Sequence, residues 1–144
     1  MTQVRVSPFC IKLRCKFKIM NLENYYEYCV SKKAVTEHFP FDADTLVFKV
    51  GGKMFALANL SGFENGNPSV NLKCDPERAQ ELRAESDDIL PGFHMSKIHW
   101  NTININKSVA DKMIYQLIDH SYELVFKSLT KKIQSEIENL EIEN

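Results

Sequence analysis

A pair of glycines constrains the fold of this chain more than any other feature of its sequence. Gly51 and Gly52 separate residues 45–50 from residues 53–58, and both runs are rich in β-branched, aromatic and other apolar side chains. A two-residue hairpin turn needs positive φ angles at its central residues, and glycine adopts them without steric cost. The sequence therefore predicts an antiparallel hairpin. The turn sets its cross-strand pairs: Val50 with Lys53, Phe48 with Phe55, and Leu46 with Leu57.

This register gives the predicted sheet two unlike faces. One is almost wholly apolar and must be covered by helices, because exposed hydrocarbon is unfavourable in water. Besides Lys53, it carries Leu46, Phe48, Val50, Phe55 and Leu57. We call the other side the open face. It carries Thr45, Val47, Lys49, Met54, Ala56 and Ala58.

Local signals place the remaining elements. Helices are predicted from Asn21 to about Lys33, from Asp75-Pro76-Glu77 to a point before Pro91, and from Ser108 to near Leu129. Residues 37–42 and 61–68 are predicted as loops, and residues 69–74 as a strand. Residues 93–97 and 98–106 are predicted as two short strands or one bent strand. The order α-β-β-β-α-β-β-α predicts a two-layer α+β domain, with a five-stranded antiparallel sheet and helices packed on one face.

The two ends of the chain differ in charge from its centre. Residues 1–19 hold five basic residues and no acid, whereas residues 20–129 hold 11 Lys and Arg against 15 Asp and Glu, a balance of −4. We predict a disordered or non-native extension over residues 1–19, a domain over residues 20–129 and an acidic helix or tail over residues 130–144. The alternative for the extension is an arm that binds phosphates.

Composition and spacing argue against several kinds of site. The apolar runs are too short for a transmembrane helix. Cys10, Cys15, Cys29 and Cys74 form no C-x-x-C pair and no zinc-ligand spacing, which is typical of reduced thiols in a cytoplasmic protein, with Cys29 and Cys74 as core residues. Nucleophile motifs and phosphate-binding glycine loops are missing. We therefore expect no enzymatic activity, no cofactor and no metal.

Histidines are candidate metal ligands in this chain. His94 and His99 could bind a metal ion together with Asp119 or His120 if folding brought these residues in. However, two histidines five residues apart on a strand point to opposite faces, which argues against a shared ion. The sequence DHSY, residues 119–122, is interpreted as a buried polar cluster. In this interpretation His120 or Tyr122 hydrogen-bonds the loop at residues 37–42.

The segment HMSKIHWNT, residues 94–102, favours a binding surface. If Ile103 and Ile105 face the helices, Trp100, Thr102 and Asn104 share the open face with Lys49, Asn71 and Lys73. Such a face can hold phosphates, stack a base and hydrogen-bond its edge. The predicted nucleic-acid-binding residues are Lys49, Lys73, His94, Lys97, His99, Trp100, Asn101 and Thr102. The alternative is an ordinary solvent-facing sheet whose tryptophan covers its own neighbours.

Four segments, in matching order, resemble the MmcQ/YjbR family. They are DTLVFKVGGKMFAL (residues 44–57), VNLKCDPERAQELR (70–83), PGFHMSKIHWNTI (91–103) and LIDHSYELV (117–125). The resemblance covers about residues 20–129. It implies an antiparallel sheet with helices, akin to the frataxin-like and secretion-chaperone-like folds. It also implies DNA binding through a double-wing arrangement and no catalytic residues.

Two functions remain open from the sequence. The first is weak, sequence-independent binding of DNA or single-stranded nucleic acid by the open face, with a strong salt dependence because the domain is acidic. The second is a protein-interaction adaptor or chaperone-like module. It would use the same face or the C-terminal helix, where Ile133, Ile137 and Leu140 are spaced for contact. Either function suits a monomer or weak dimer that does not bind a membrane.

Overall fold

The computed structural model describes the backbone of residues 20–143 and the side chains of residues 20–140. The elements are α1 (Leu22–Val30), β1 (Val35–His38), β2 (Thr45–Val50), β3 (Lys53–Asn59), α2 (Leu60–Glu64), β4 (Ser69–Lys73), α3 (Pro76–Glu85), β5 (Ile89–Pro91), β6 (Trp100–Asn104), α4 (Asp111–Lys127) and α5 (Lys131–Glu143). Within the described residues, no helix is long and apolar enough to cross a membrane. The predicted extension, residues 1–19, lies outside them.

The six strands form one antiparallel sheet in the order β1-β2-β3-β4-β6-β5. The α+β class and the hairpin of β2 and β3 are confirmed, whereas the predicted number of five strands is wrong. The additional strand is β1, which includes Glu37 and His38 from the predicted loop. Ala34 has a φ of 60°, and this left-handed residue lies where the chain leaves α1 and enters β1.

The opposite edge of the sheet also differs from the prediction. A strand was expected over residues 93–97, but the edge strand is β5, which ends at Pro91 and pairs with β6. Proline is tolerated on an edge strand because its missing N–H need not pair with a neighbour. Residues 92–99 form an irregular connection instead, which we call the 92–99 loop. The amide of Gly92 donates to the carbonyl of Trp100 at 2.8 Å and begins this loop.

Two predicted helix starts are confirmed by their caps. The Asn21 side chain accepts a hydrogen bond from the amide of Asn24 at 2.8 Å, and Asp75 accepts one from the amide of Arg78 at 3.2 Å. Each bond satisfies an N–H group that the first helical turn leaves unpaired. The first helix then ends at Val30, before the predicted end near residue 33.

Two other predictions about helices are wrong. Ser108 does not cap α4, because its amide and hydroxyl both donate to the Asp88 carboxylate, at 2.9 and 2.5 Å, and the helix begins at Asp111. The predicted loop at residues 61–68 contains most of α2. The side chain of Asn59 accepts a hydrogen bond from the amide of Gly62 at 3.4 Å and caps this short helix.

The main hydrophobic core lies between the sheet and the helices. Its largest fully buried side chains include Tyr25 of α1, Phe48 of β2, Phe55 of β3, and Ile114 and Ile118 of α4. α5 is a separate helix after α4, and its Ile137 is buried in the same core while Leu140 is exposed.

Both described cysteines are core residues, as predicted. Cys29 and Cys74 are buried free thiols. Burial raises the pKa of the Cys29 thiol to about 12, so this side chain is protonated at neutral pH.

A β-bulge in β3 overturns part of the predicted register. Lys49 pairs with Met54, but Phe48 pairs with Ala56, so Phe55 is an additional residue with no partner in β2. The predicted pair of Phe48 with Phe55 is therefore wrong.

Beyond the bulge, the residues of β3 change sides. Leu57 pairs with Val47 instead of Leu46, and Leu46 pairs with Ala58. Leu57 consequently lies on the open face, while Ala56 and Ala58 join the main core.

Ser121 joins α4 to the sheet beside the bulge. Its hydroxyl donates to the carbonyl of Phe55 at 2.5 Å and accepts a hydrogen bond from the amide of Lys73 at 2.9 Å. Ser121 is fully buried. One side chain thus satisfies two backbone groups on neighbouring strands.

The other members of the 119–122 cluster also hold α4 in place. Tyr122 donates to the carbonyl of Lys33 at 2.7 Å, so the predicted bond to residues 37–42 is wrong in its target. Asp119 forms an ion pair with Lys32 and accepts a hydrogen bond from Tyr28 at 2.8 Å.

His120 makes the stability of the fold depend on pH. Its Nε2 accepts a hydrogen bond from the amide of Asp75 at 3.1 Å, which requires this nitrogen to be unprotonated. Burial, and then the nearby Arg78 guanidinium, lower the pKa of His120 below its ordinary value of 6.5. The folded state therefore binds protons less readily than the unfolded state. The resulting stability is fully present above pH 6.5 and is lost as pH falls from there through the lowered pKa.

Urea unfolding should therefore give a lower free energy of unfolding at about pH 5.5 than at about pH 7.5. His120→Gln should show a smaller loss, since a glutamine oxygen accepts the same hydrogen bond without titrating. If the free energy of unfolding falls equally in the two proteins between these pH values, His120 is not responsible for the pH dependence. The carboxylates of Asp42 and Asp88, whose pKa values are lowered by hydrogen bonds, act only at more acidic pH.

Candidate functional site

Strand register brings several of the predicted site residues together on the open face. Lys73 of β4 lies opposite Trp100 of β6, and Asn71 lies opposite Thr102. Ile103, one residue after Thr102, lies in the main core on the other side of the sheet. This alternation follows from the pleat of the strand.

Trp100 is covered and cannot stack on a base, contrary to the prediction. Only 8% of its surface is exposed, because it packs in a second apolar cluster with Val47 and Leu57, against which Met54 and Met95 also pack. The 92–99 loop folds back over this cluster. Trp100 is therefore a core residue of this second cluster.

Asn101 lies on the helix side of the sheet, so its predicted contact with nucleic acid is wrong. It is 2% exposed, and its side-chain oxygen accepts a hydrogen bond from Nε of Arg83 at 2.7 Å. The same guanidinium donates to the carbonyls of Lys97 and Trp100. Arg83 thus fastens the 92–99 loop to α3.

The remaining predicted residues are at least partly accessible. Lys49 and Lys73 are half-buried on the open face, and in the described part of the chain neither ammonium has an ionic or hydrogen-bonding partner. Lys97 is exposed and donates to the carbonyl of Gly92 at 2.9 Å. His94 and His99 are exposed, and the backbone of His94 is left-handed, with a φ of 61°.

A groove of about 920 Å³ lies on the open face. Of the predicted site residues, His94, Lys97 and Thr102 line it, whereas Lys49, Lys73 and His99 do not. Its floor is formed by side chains of β2, β3, β4 and β6. One wall is the connection from β1 to β2, and the other is β5 with the 92–99 loop. The lining includes Phe41, Asp42, Asp44, Thr45, Leu57, Asn59, Ser69, Asn71, Leu90, Phe93, His94, Met95, Lys97 and Thr102.

Two exposed phenyl rings stand at the groove, one on each wall. Phe41 is 61% exposed and Phe93 is 66% exposed. Neither ring was predicted from the sequence as a site residue. Each is an aromatic residue that closely follows a proline in the sequence, Phe41 after Pro40 and Phe93 after Pro91-Gly92. Both segments lack strand or helix periodicity, so their side chains are not expected to pack in the core.

The wall that carries Phe93 is braced by hydrogen bonds to the floor. The amide of Phe93 donates to Oγ1 of Thr102 at 2.9 Å, and the amide nitrogen of the Asn71 side chain donates to the carbonyl of Phe93 at 3.3 Å. Thr102 in turn donates to Oδ1 of Asn71 at 2.6 Å. Asn71 and Thr102 therefore position the wall, and Phe93 is presented on a fixed backbone.

The opposite wall carries two carboxylates. Oδ1 of Asp42 accepts hydrogen bonds from the amides of Asp44 and Thr45, at 2.9 and 2.8 Å. The pKa of Asp42 is lowered by hydrogen bonds, most strongly by the one from the Asp44 amide and then by one from the Thr45 side chain, so the group is ionised at neutral pH. Both oxygens of Asp44 are occupied by Ser61, through its amide and its hydroxyl.

The histidines do not form a metal site with other residues in the described structure. Among residues 20–140, no group of three or more His, Cys, Asp or Glu side chains is arranged to hold a metal ion. His120 instead bonds the start of α3, and the His94 ring lies 4.1 Å from the Phe93 ring. The two histidines of the 92–99 loop thus belong to the groove wall and its surroundings.

Known proteins match this chain over about two thirds or more of its length. The family model described as YjbR matches residues 30–124. Escherichia coli (strain K12) YjbR is 34% identical over 104 residues, which cover 72% of this chain and 86% of that protein. Escherichia coli O157:H7 YbdF is 34% identical over 99 residues, or 69% of this chain and 79% of that protein.

Two solved structures agree with this grouping. The crystal structure of Deinococcus radiodurans protein DR2400, described as a DUF419 domain, superposes with a TM-score of 0.75 at 35% identity and covers 83% of this chain and 88% of that one. A Pseudomonas syringae protein superposes with a TM-score of 0.62 at 26% identity, over 74% of this chain and 99% of that one. The chain therefore belongs to the YjbR family.

Proposed function

We propose that this chain is a non-catalytic binding domain that holds single-stranded nucleic acid weakly on its open face. The observation that carries the proposal is the pairing of two exposed aromatic rings, Phe41 and Phe93, with three lysines on or beside the same face. The lysines are Lys49, Lys73 and Lys97. Rings that stack bases beside cations that meet phosphates are the two components of most single-strand binding surfaces.

The rings predict a preference for single strands. A base must leave the duplex stack before its face can lie on a phenyl ring, and each such contact contributes about 1–3 kcal/mol. Phe93 is fixed by the bonds of its backbone to Asn71 and Thr102, so little conformational entropy is lost when a base stacks on it.

The lysines explain why binding should be weak and dependent on salt. Each phosphate neutralised on a single strand contributes a slope of about 0.7 to the dependence of log K on log salt. Three cations give only a few such contacts, and the balance of −4 over residues 20–129 opposes them at long range.

Phe93→Ala should weaken the binding of a single-stranded oligonucleotide about 5- to 150-fold, with little change for a duplex. Lys49→Ala combined with Lys73→Ala should reduce the salt slope by about 1.4, corresponding to two phosphate contacts. Fluorescence anisotropy of labelled oligonucleotides, over a series of salt concentrations, measures both effects in the full chain.

Two controls separate the groove from other sources of binding. Lys112→Ala combined with Lys131→Ala changes the net charge equally but lies on exposed positions of α4 and α5, so the salt slope should stay close to that of the parent chain. A synthetic peptide of residues 1–19 reports what the basic extension binds alone. Parent-like binding by the Phe93 variant and the Lys49/Lys73 variant would overturn the proposal.

A protein ligand is the second candidate, and exposed apolar side chains in the connections that form the groove walls favour it. Phe39 and Ile98 are exposed in the same two connections as Phe41 and Phe93, and Leu90 is exposed on β5. An adaptor that inserts partner side chains here would bind with little salt dependence. A ligand bound with a flat salt response and lost in Phe93→Ala would therefore favour the adaptor.

A further inference from the structure

Residues 9–19 alternate between apolar and basic side chains. The odd positions are apolar, and the even positions after Cys10 are basic. The apolar residues are Phe9, Ile11, Leu13, Cys15, Phe17 and Ile19, and the basic residues are Lys12, Arg14, Lys16 and Lys18. A period of two is typical of a strand with one apolar side. Such a side needs a surface to cover it, because exposed hydrocarbon is unfavourable in water.

The groove walls carry most of the apolar surface that the described residues leave uncovered. Six large hydrophobic side chains are exposed in this part of the chain, and five of them lie on β5 or in the two connections that form the walls. The five are Phe39, Phe41, Leu90, Phe93 and Ile98, and the sixth is Leu140 of α5. The other side of the sheet faces the main core. The open face is therefore the side of the sheet that can receive an apolar segment.

The segment joins the domain close to one end of the groove. The amide of Met20 donates to Oδ1 of Asn106 at 2.9 Å, and Nδ2 of Asn106 donates to the carbonyl of Met20 at 2.9 Å. Asn106 follows the end of β6. At that end Asn104 pairs with Ser69, which lines the groove. Residue 19 therefore leaves the domain at the end of the sheet where the groove lies.

Length and charge both favour entry of the segment into the groove. The floor extends from β6 across β4 and β3 to β2, which is about 15 Å, whereas residues 9–19 span up to about 35 Å when extended. Residues 1–19 hold five basic residues and no acid, and residues 20–129 have a balance of −4, so the two attract each other. The groove itself is lined by two carboxylates, Asp42 and Asp44, and one ammonium, Lys97.

We infer that residues 9–19 fold back into the groove, with their apolar side on Phe41, Leu90 and Phe93 and their basic side towards solvent. For these residues the inference replaces the expectation of a disordered extension. Any other ligand of the groove must then displace the chain's own segment. The inference does not rest on nucleic-acid binding, because the exposed apolar side chains are present whatever the ligand is.

A nitroxide attached to Cys10 reports where the segment lies in the full chain. Cys10 is at an even position, away from the apolar side, and Cys15→Ala removes the other thiol of the segment while keeping an apolar residue. Cys29 and Cys74 are buried, and burial raises the pKa of both thiols, so they do not compete for the label.

The expected result is a loss of amide signal at the groove. Residues 41–45 and 92–97 should lose most of their signal intensity and regain it when the nitroxide is reduced. The turn at Gly51-Gly52, at the opposite end of β2 and β3 from the Thr45–Asn59 pair, should keep its intensity.

Paired variants show whether the loss depends on docking. Leu13→Ser combined with Phe17→Ser breaks the apolar side and should restore most of the signal at the groove, as should Phe41→Ser combined with Phe93→Ser. Val4→Ser combined with Val6→Ser is the matched control, because it makes the same kind of change outside the alternating segment and should leave the loss unchanged. Circular dichroism melting confirms that each variant is folded.

Three outcomes overturn the inference. The first is an equal loss in the parent chain and the Leu13/Phe17 variant, since a tethered segment that does not dock would produce it. The second is a loss on the helices in place of the groove. The third is a loss at the groove when nitroxide-labelled chains are mixed with isotopically labelled chains that carry no nitroxide, because the segment then docks on a second copy. None of these measurements uses an oligonucleotide, so failure of the proposed function leaves them unaffected.

Discussion

Ser121→Ala is expected to lower the free energy of unfolding by about 2–4 kcal/mol, which is a large fraction of the stability of a domain of this size. The hydroxyl satisfies the carbonyl of Phe55 and the amide of Lys73. Alanine removes both bonds and fills none of the space. Each buried backbone group left without a partner costs about 1–3 kcal/mol.

The bulge is the reason that these two groups depend on a side chain. Phe55 is the additional residue of β3, and regular pairing with β4 begins only at Ala56, which lies opposite Leu72. Ser121 reaches from α4 to the place where the ladder is interrupted. Loss of its hydroxyl should therefore loosen the contact between α4 and the sheet as well as the strand end at Lys73.

Chemical denaturation of the parent chain and Ser121→Ala measures this effect, with Ser135→Ala as the matched control. Ser135 is exposed on α5 and its loss should change stability by less than about 0.5 kcal/mol. If Ser121→Ala is as stable as the control, water or a shifted backbone satisfies the two groups and the bridging role is refuted.

Gly51→Val is expected to cost about 2–4 kcal/mol, more than the same change at Gly52. Both glycines have positive φ, 60° at Gly51 and 83° at Gly52, so a valine at either position is strained by about 1–2 kcal/mol. The surroundings of the two positions differ. A Cβ at Gly51 would lie 2.6 Å from Leu129, whereas a Cβ at Gly52 meets nothing within 4 Å.

The two glycine variants therefore distinguish backbone strain from overpacking. Gly52→Val should cost only the strain, about 1–2 kcal/mol. Leu129 is buried with 7% of its surface exposed, so moving it disturbs the junction of α4 and α5. In Leu129→Ala the penalty of Gly51→Val should shrink towards that of Gly52→Val, and thermodynamic cycles in urea measure the coupling. Equal penalties at the two glycines in the parent chain would contradict this explanation.

The local signals in the sequence predicted the elements that depend on neighbouring residues alone. Gly51-Gly52 predicted the hairpin, and Asn21 and Asp75 predicted two helix starts. The alternation at Val70 and Leu72 predicted β4. In each case the turn, cap or pleat is a short-range effect that few residues determine.

The errors arise where long-range contacts decide the structure. The bulge at Phe55 is held by Ser121, 66 positions further along the chain, and no local pattern indicates it. The bulge moves Leu57 to the open face, where it packs with Trp100. The 92–99 loop then lies over these two side chains, because its Met95 packs against the same cluster. Asp88, 20 positions before Ser108, likewise withdraws that serine from the helix start.

The candidate site was predictable in part for the same reason. Alternation in β6 placed Trp100 and Thr102 on the open face with Lys73 and Asn71, as the register shows. It could not show that Trp100 is covered. The groove between the two connections required the fold itself, because its walls come from segments that lack periodicity.

Amide chemical-shift mapping tests the central claim, that the groove of the open face holds a single strand, most directly. A single-stranded oligonucleotide is titrated into the isotopically labelled full chain at low salt. The largest shift changes should fall on residues 41–45, 49, 57–59, 69–73 and 90–102, while exposed positions of α4 and α5 stay unchanged. Changes confined to residues 1–19 or to the helices, or no changes at all, would contradict the claim.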